Sequence, residues 1–291
     1  MNSNTTQNGT ENKDSHIETS HKIALITIYT VVLMVGTTGL IFMIRILKTN
    51  LRSWTTIAFL NLLLAHFIFL LTIPFRIYYY ATNHWGLSRS FCKIVSAMIH
   101  LHMYVVFVIY VVILIIRFLQ YFKKIDRMEF YRRLHALGAS IGIWSIVIIL
   151  GPILLIHYGK TRNDEQTKCF NFGDEANKSW VFGLNIFLSV LIILVSCALS
   201  CVLGIILRNL IKKHGAASRV QQEVWAQVKS ISLIIIIFTC LVPYHIFRLF
   251  YLKNLKTLEH VNEVFLAITT LTCCDMLLIF AGKGICHVCG F

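Results

Sequence analysis

Proline is almost missing, with three residues in 291, so this is not a proline-rich linker or disordered tract. Acids are scarce too: 13 Asp and Glu stand against 27 Lys and Arg. No paired carboxylates, nucleophile–base set or glycine-rich phosphate cradle gathers on one side of the chain, so enzyme chemistry has no support. No internal repeat is visible, and Asp275 is nearly alone as a charge within the apolar runs. A transporter or channel would show both repeats and a path of charges. The start lacks a basic segment, a short apolar core and a small-residue cleavage site, so no cleavable signal peptide is expected.

What the chain has is apolar length. Seven runs lie at roughly 23–47, 54–80, 91–121, 134–157, 180–207, 229–252 and 259–281. Each is about 20 or more mostly apolar residues long, enough to cross ~30 Å of hydrocarbon as a helix. The expected fold is an all-α membrane protein, a seven-transmembrane helix bundle over 23–281. A polar tail, 1–22, precedes it and a short tail, 282–291, follows. The net charge of +14 lies in short segments between the runs, as topogenic charge does. Nucleic acid is therefore not an expected partner, membrane lipids are, and no cofactor is implied.

Lys and Arg divide fifteen to twelve in favour of the side holding the first, third and fifth loops and the carboxyl tail. Three N-x-S/T glycosylation sequons, at Asn4, Asn8 and Asn177, all fall on the other side. Together they place the amino terminus outside and the carboxyl tail inside. Cys92 and Cys169 then face the oxidising compartment, where a disulfide is allowed. Cys197, Cys201, Cys240, Cys273 and Cys274 fall within spans as small core residues. Cys286 and Cys289 follow the last span on the inner side, open to palmitoylation or reduced.

Ordered landmarks now accumulate. Trp85 and Cys92 head the third run, and Arg117 ends it in Ile116-Arg117-Phe118. Twenty-five residues at 1.5 Å each put Cys92 and Arg117 about 37 Å apart, at opposite faces. Asn61-Leu62 and Leu71-Thr72-Ile73-Pro74-Phe75 mark the second run, Trp144 the fourth, Cys240 to His245 the sixth, and Asp275 to Ile279 the seventh. The set resembles a rhodopsin-like G-protein-coupled receptor of the branch holding nucleotide and lipid receptors. That resemblance implies a plasma-membrane receptor, a heterotrimeric G protein as partner, and a small-molecule or lipid ligand. It also implies the Cys92–Cys169 disulfide.

Departures from the family pattern matter as much. His66 replaces the acid that forms the floor of the family's sodium site, and a neutral nitrogen is a poor substitute for charged oxygen. Asp275 remains and needs a buried partner, for which His66 is the obvious candidate. Ile116 replaces the acid that normally pairs with the inner arginine and holds the resting state. Leu241, Met276 and Ile279 replace the sixth-span tryptophan and the seventh-span proline and tyrosine, and the fifth-run proline is absent. A non-signalling scaffold or dimerisation partner on the receptor fold is therefore an alternative.

For ligand binding, the resemblance points to His245 and Arg248 beyond Pro243, three apart on one helical face. Arg76 and Lys93 add positive charge near the same mouth and suit an anionic ligand. The competing reading has these basic side chains snorkel to the interface. Ile99 stands where amine receptors keep an aspartate, which argues against a cationic amine. His100 and Tyr104 share a face and are candidate lining residues. No acid or thiol sits at helical spacing beside His100 and His102, so no zinc site is expected there. At the inner face the family's G-protein cavity opens when the sixth helix swings outward. The resemblance assigns its floor to Arg117 and a G-protein contact to Ile125, flanked by Tyr121.

Overall fold

A computed structural model describes residues 4–49, 54–122, 137–149, 151, 169–170, 179–214, 230–255, 257–275 and 277. Every regular element among them is helical: α1 (Asn4–Thr49), α2 (Trp54–Leu70), α3 (Ile73–Thr82), α4 (Arg89–Phe122), α5 (Leu137–Ile149), α6 (Ser179–His214), α7 (Ser230–Tyr251) and α8 (Glu259–Thr269). Five stretches are long and apolar enough to cross a membrane: Thr19–Arg45, Thr56–Thr82, Arg89–Leu119, Val181–Leu210 and Ser230–Tyr251. Of the fourth run, the described residues form the apolar helix α5. The seventh appears as α8 continued by a 3-10 turn, Thr270–Cys274. The first helix extends upstream of the expected run, to Asn4, and no proline interrupts it.

The apolar residues sort by face. Along α4, Val95, Ile99, Met103, Val106, Tyr110 and Leu114 recur every three or four residues and are buried. Ile94, Val108, Ile115 and Leu119 on the same helix stay exposed. A soluble protein rarely leaves such an apolar surface open, whereas a membrane helix turns it to lipid. α1 packs on α2, α3, α8 and the 3-10 turn; α2 packs on α4, and α6 on α7. Asn61 ties the second span to the fourth, donating to Ser140 Oγ and accepting from Trp144 Nε1 at 2.9 Å.

Three spans depart from a plain α-helix, each for a visible reason. The second breaks at Leu71–Thr72, where the Thr72 amide closes a tight turn to Phe69 O at 2.8 Å. Pro74 then falls in the first turn of α3, where a missing N–H costs nothing. The sixth carries a π turn at Ile237–Leu241 just before Pro243, an insertion that absorbs the lost backbone bond. The seventh has no proline and tightens to 3-10. Thr269, Thr270 and Thr272 each turn their hydroxyl back to a carbonyl three residues earlier, at 2.6, 2.6 and 2.9 Å.

At one end of the bundle Cys92 and Cys169 are joined by a disulfide, with Cα atoms 6.0 Å apart. Trp85, Phe91, Tyr79, Tyr80 and Phe170 pack edge-on or stacked around it.

Candidate functional site

The polar residues inside the bundle gather in three groups. The central group sits on Asp275, which is fully buried. Its Oδ2 accepts from the Tyr110 hydroxyl on α4, and its Oδ1 lies 3.2 Å from His66 Nε2 on α2. The far nitrogen of His66 lies 2.9 Å from His102 Nε2. Cys273 Sγ approaches both rings, 3.5 Å from His66 Nδ1 and 3.6 Å from His102 Nε2. His102 is held flat against Phe69, with ring centroids 4.2 Å apart. His102 and Cys273 thus join the candidate pair His66 and Asp275. Helical spacing within the third run could not reveal this, because the thiol arrives from the seventh span. The 3-10 turn is what aims it: Cys273 and Asp275 diverge by about 120° there, against about 160° in an α-helix.

The second group lies between α6, α7 and α4. Arg248 is only 8% exposed, so it does not snorkel. Its Nη2 donates to Asn185 Oδ1 at 2.7 Å, its Nε to the same oxygen at 3.1 Å, and its Nη1 to the Tyr244 hydroxyl. His245 Nδ1 lies 3.2 Å from Ser189 Oγ, while its Nε2 has no partner among the described residues. The ring of Tyr104 faces His245 at 6.1 Å. His100, one turn along α4, lies within electrostatic range of both Arg248 and Arg76. Arg248, His245 and Tyr104 are therefore brought together from two spans, with His100 one turn from Tyr104 on α4. Asn185, Ser189 and Tyr244 were not among the candidates. Nothing in their spacing marks them, and only the approach of α6 to α7 makes them partners.

Arg76 forms the third group, at the disulfide end. It is 1% exposed. Its Nη2 donates to Val95 O at 2.6 Å and to Ser96 O at 3.3 Å, and its guanidinium sits 4.5 Å over the Phe170 ring. It clamps α3 to α4 and does not reach for the surface. Glu263 on α8 is half-buried and lies within electrostatic range of it, so Asp275 is not the only acid withdrawn from solvent in the bundle. Lys93 is half-buried.

At the opposite end of α4, Arg117 is buried and its Nη1 donates to Ser230 Oγ on α7 at 3.1 Å. Tyr121, one turn on, packs against the core edge. Ile125 and Asn177 lie outside the described residues, and only the backbone is described at Asn4 and Asn8.

Residues 37–275, more than four fifths of the chain, match the family described as 7 transmembrane receptor (rhodopsin family). The chain belongs to that family. The human protein named Probable G-protein coupled receptor 141 is 38% identical over 270 residues, covering 89% of this chain and 88% of its own length. The human N-arachidonyl glycine receptor is 27% identical over 278 residues, covering 89% of this chain and 81% of its own. Mouse Probable G-protein coupled receptor 34 is 23% identical over 265 residues, covering 86% and 71%.

A rhodopsin-family receptor is a multi-pass protein of the plasma membrane and not an enzyme. Membership of the family implies coupling to a heterotrimeric G protein and a small-molecule or lipid ligand. In this rhodopsin-family chain two parts of that machinery are built differently. The centre carries imidazoles and a thiol beside its one carboxylate, and the arginine ending α4 is held by a serine.

Proposed function

We propose that this receptor takes an anionic ligand with an apolar body at the Arg248 group, and couples its binding to a G protein at the Arg117 end. In this reading the disulfide end is outside, as the sequons at Asn4, Asn8 and Asn177 suggest, and the carboxyl tail is inside. The observation that carries it is the direction of Arg248. A basic side chain near a helix end ordinarily reaches for water, yet this one turns inward and is held there by the neutral groups of Asn185 and Tyr244. A cation so placed attracts an anion strongly, and its planar fork suits a carboxylate or phosphate. His245 Nε2 and Tyr104 offer further polar contacts beside it. Arg76 donates to backbone carbonyls, Val95 O and Ser96 O, which cannot turn aside for a ligand as the side chains of Asn185 and Tyr244 can, so it serves as a structural clamp. The N-arachidonyl glycine receptor is named for a molecule joining a fatty acyl chain to a carboxylate, which is the class of chemistry this group fits. At the other end Ile125 makes the G-protein contact, flanked by Tyr121.

The test is G-protein activation in cells exposed to acyl amino acids and lysophospholipids, each paired with a neutral amide or ester analogue. The acid should act and the neutral analogue should not. Arg248→Gln should raise the half-maximal concentration about 10–100-fold, since a charge-assisted bond is worth about 1.5–3 kcal/mol. Equal potency of acid and neutral analogue, or no effect of Arg248→Gln at matched surface expression, would reject the reading.

A further inference from the structure

Three donors of one chemical character converge where the family ordinarily keeps oxygens. His66 Nδ1, His102 Nε2 and Cys273 Sγ come from the second, third and seventh spans, and all lie within 4.8 Å of one another. All three residues are buried. We propose that they form a binding site for a borderline transition-metal cation of the zinc class.

Distance supports this first. Around a tetrahedral zinc ion, with Zn–N near 2.0–2.1 Å and Zn–S near 2.3 Å, a nitrogen and a sulfur ligand stand about 3.6 Å apart. The sulfur here is 3.5 Å from one imidazole nitrogen and 3.6 Å from the other. The two nitrogens are 2.9 Å apart, against about 3.3 Å for the same geometry. The rings need to part by only about 0.4 Å to admit the ion.

Orientation supports it next. Asp275 Oδ1 lies 3.2 Å from His66 Nε2 and accepts a hydrogen bond from the N–H at that nitrogen. His66 Nδ1 is then the bare nitrogen, and it points at His102 and Cys273. A carboxylate behind a ligating imidazole is the usual second shell of a histidine–metal bond. Tyr110 holds the other oxygen of that carboxylate, and Phe69 fixes the plane of His102.

Charge supports it last. On binding, the proton that His102 Nε2 shares with His66 Nδ1 moves to His102 Nδ1, which has no partner among the described residues. The Cys273 thiol loses its proton to solvent, and the two bare nitrogens and the thiolate sulfur each donate an electron pair to the ion. Thiolate and Asp275 carboxylate together balance a divalent charge, so the loaded site is neutral in a low-dielectric interior. Thiolate and imidazole select zinc and its neighbours over sodium, magnesium or calcium, which take oxygen. The bound ion would fasten three spans to one another near the middle of the bundle.

The experiment uses full-length receptor made in cells with added zinc, purified without chelator and held in lipid nanodiscs. Metal analysis should find about one zinc per receptor more in wild type than in Cys273→Ser. Replacing zinc by Co²⁺ should give tetrahedral bands and a thiolate charge-transfer band that Cys273→Ser lacks. Asp275→Asn should keep that band but weaken the affinity about 10–100-fold. If Cys273→Ser does not fold, His102→Gln, which retains the thiol, provides the comparison. A wild-type receptor without a thiolate–cobalt band overturns the proposal. So does equal zinc in wild type and variants, which would be adventitious binding by surface histidines. Neither outcome touches the Arg248 reading, which is tested by signalling.

Discussion

Asp275 shows what burial demands of one residue. A carboxylate with no water around it must have each oxygen satisfied or give up its charge. Here Tyr110 takes one oxygen and His66 the other. A sodium ion would need several oxygens at short range. Here the carboxylate is already engaged by the Tyr110 hydroxyl and His66, and the neighbours of His66 are a second imidazole and a sulfur. Thermal unfolding in sodium chloride should therefore match that in an equal concentration of a bulky organic chloride. A saturable, sodium-specific rise in Tm that disappears in Asp275→Asn would show this wrong. The tie between His66 and Asp275 was legible in the sequence, because an isolated buried acid needs a partner and few polar residues were available. His102 and Cys273 were not legible. Their meeting depends on how far the seventh span is rotated, and a row of threonines at i, i+3 spacing does not announce a 3-10 turn.

At the scale of elements, the first helix closes on this same centre through Gly36. A Cβ built there would meet both Leu70 methyls at 3.1 and 3.2 Å and the Cys273 Cβ at 3.3 Å. Leu70 ends α2 and could shift, but the Cys273 Cβ is tied to the tight turn of the seventh span. Gly36→Val should therefore overpack the contact and cost about 1–3 kcal/mol, read as a lower Tm in detergent. Gly36→Ala should cost less. An unchanged Tm for Gly36→Val would mean that α1 is free to lean outward. Pro243 marks in the sequence where the sixth span departs from a plain helix, since proline removes a backbone donor wherever it stands, and the π turn lies just before it. The sequence reads the second run as one span, and the break at Leu71–Thr72 leaves that true of the crossing while dividing the helix. The glycine contact had no signal, because a glycine among apolar residues looks the same facing lipid or a neighbouring helix.

Across the whole molecule, the question is which state the empty receptor prefers. Ile116 leaves Arg117 without the family's neighbouring acid, and the structure supplies a different restraint. Arg117 donates to Ser230, joining α4 to the start of α7 at the end where the sixth helix must move. A hydrogen bond from a charged donor is worth about 1.5–3 kcal/mol where it is kept from water. An ion pair in a partly buried mouth contributes on a similar order only with good geometry. Each 1.4 kcal/mol changes the ratio of states tenfold. A neutral serine brings no opposite charge to the guanidinium, so the Ser230 contact is a weaker hold than a carboxylate placed beside it. We expect measurable ligand-independent signalling in the wild type. Ile116→Asp should lower it several-fold by restoring the acid, and Ser230→Ala should raise it by releasing α7. Arg117→Ala should abolish it, since the proposed G-protein contact has that residue at its floor. Basal G-protein turnover at matched surface expression measures all four. If all four match untransfected cells, Leu241, Met276 and Ile279 keep the bundle closed by packing alone, and the chain acts as a scaffold on the receptor fold.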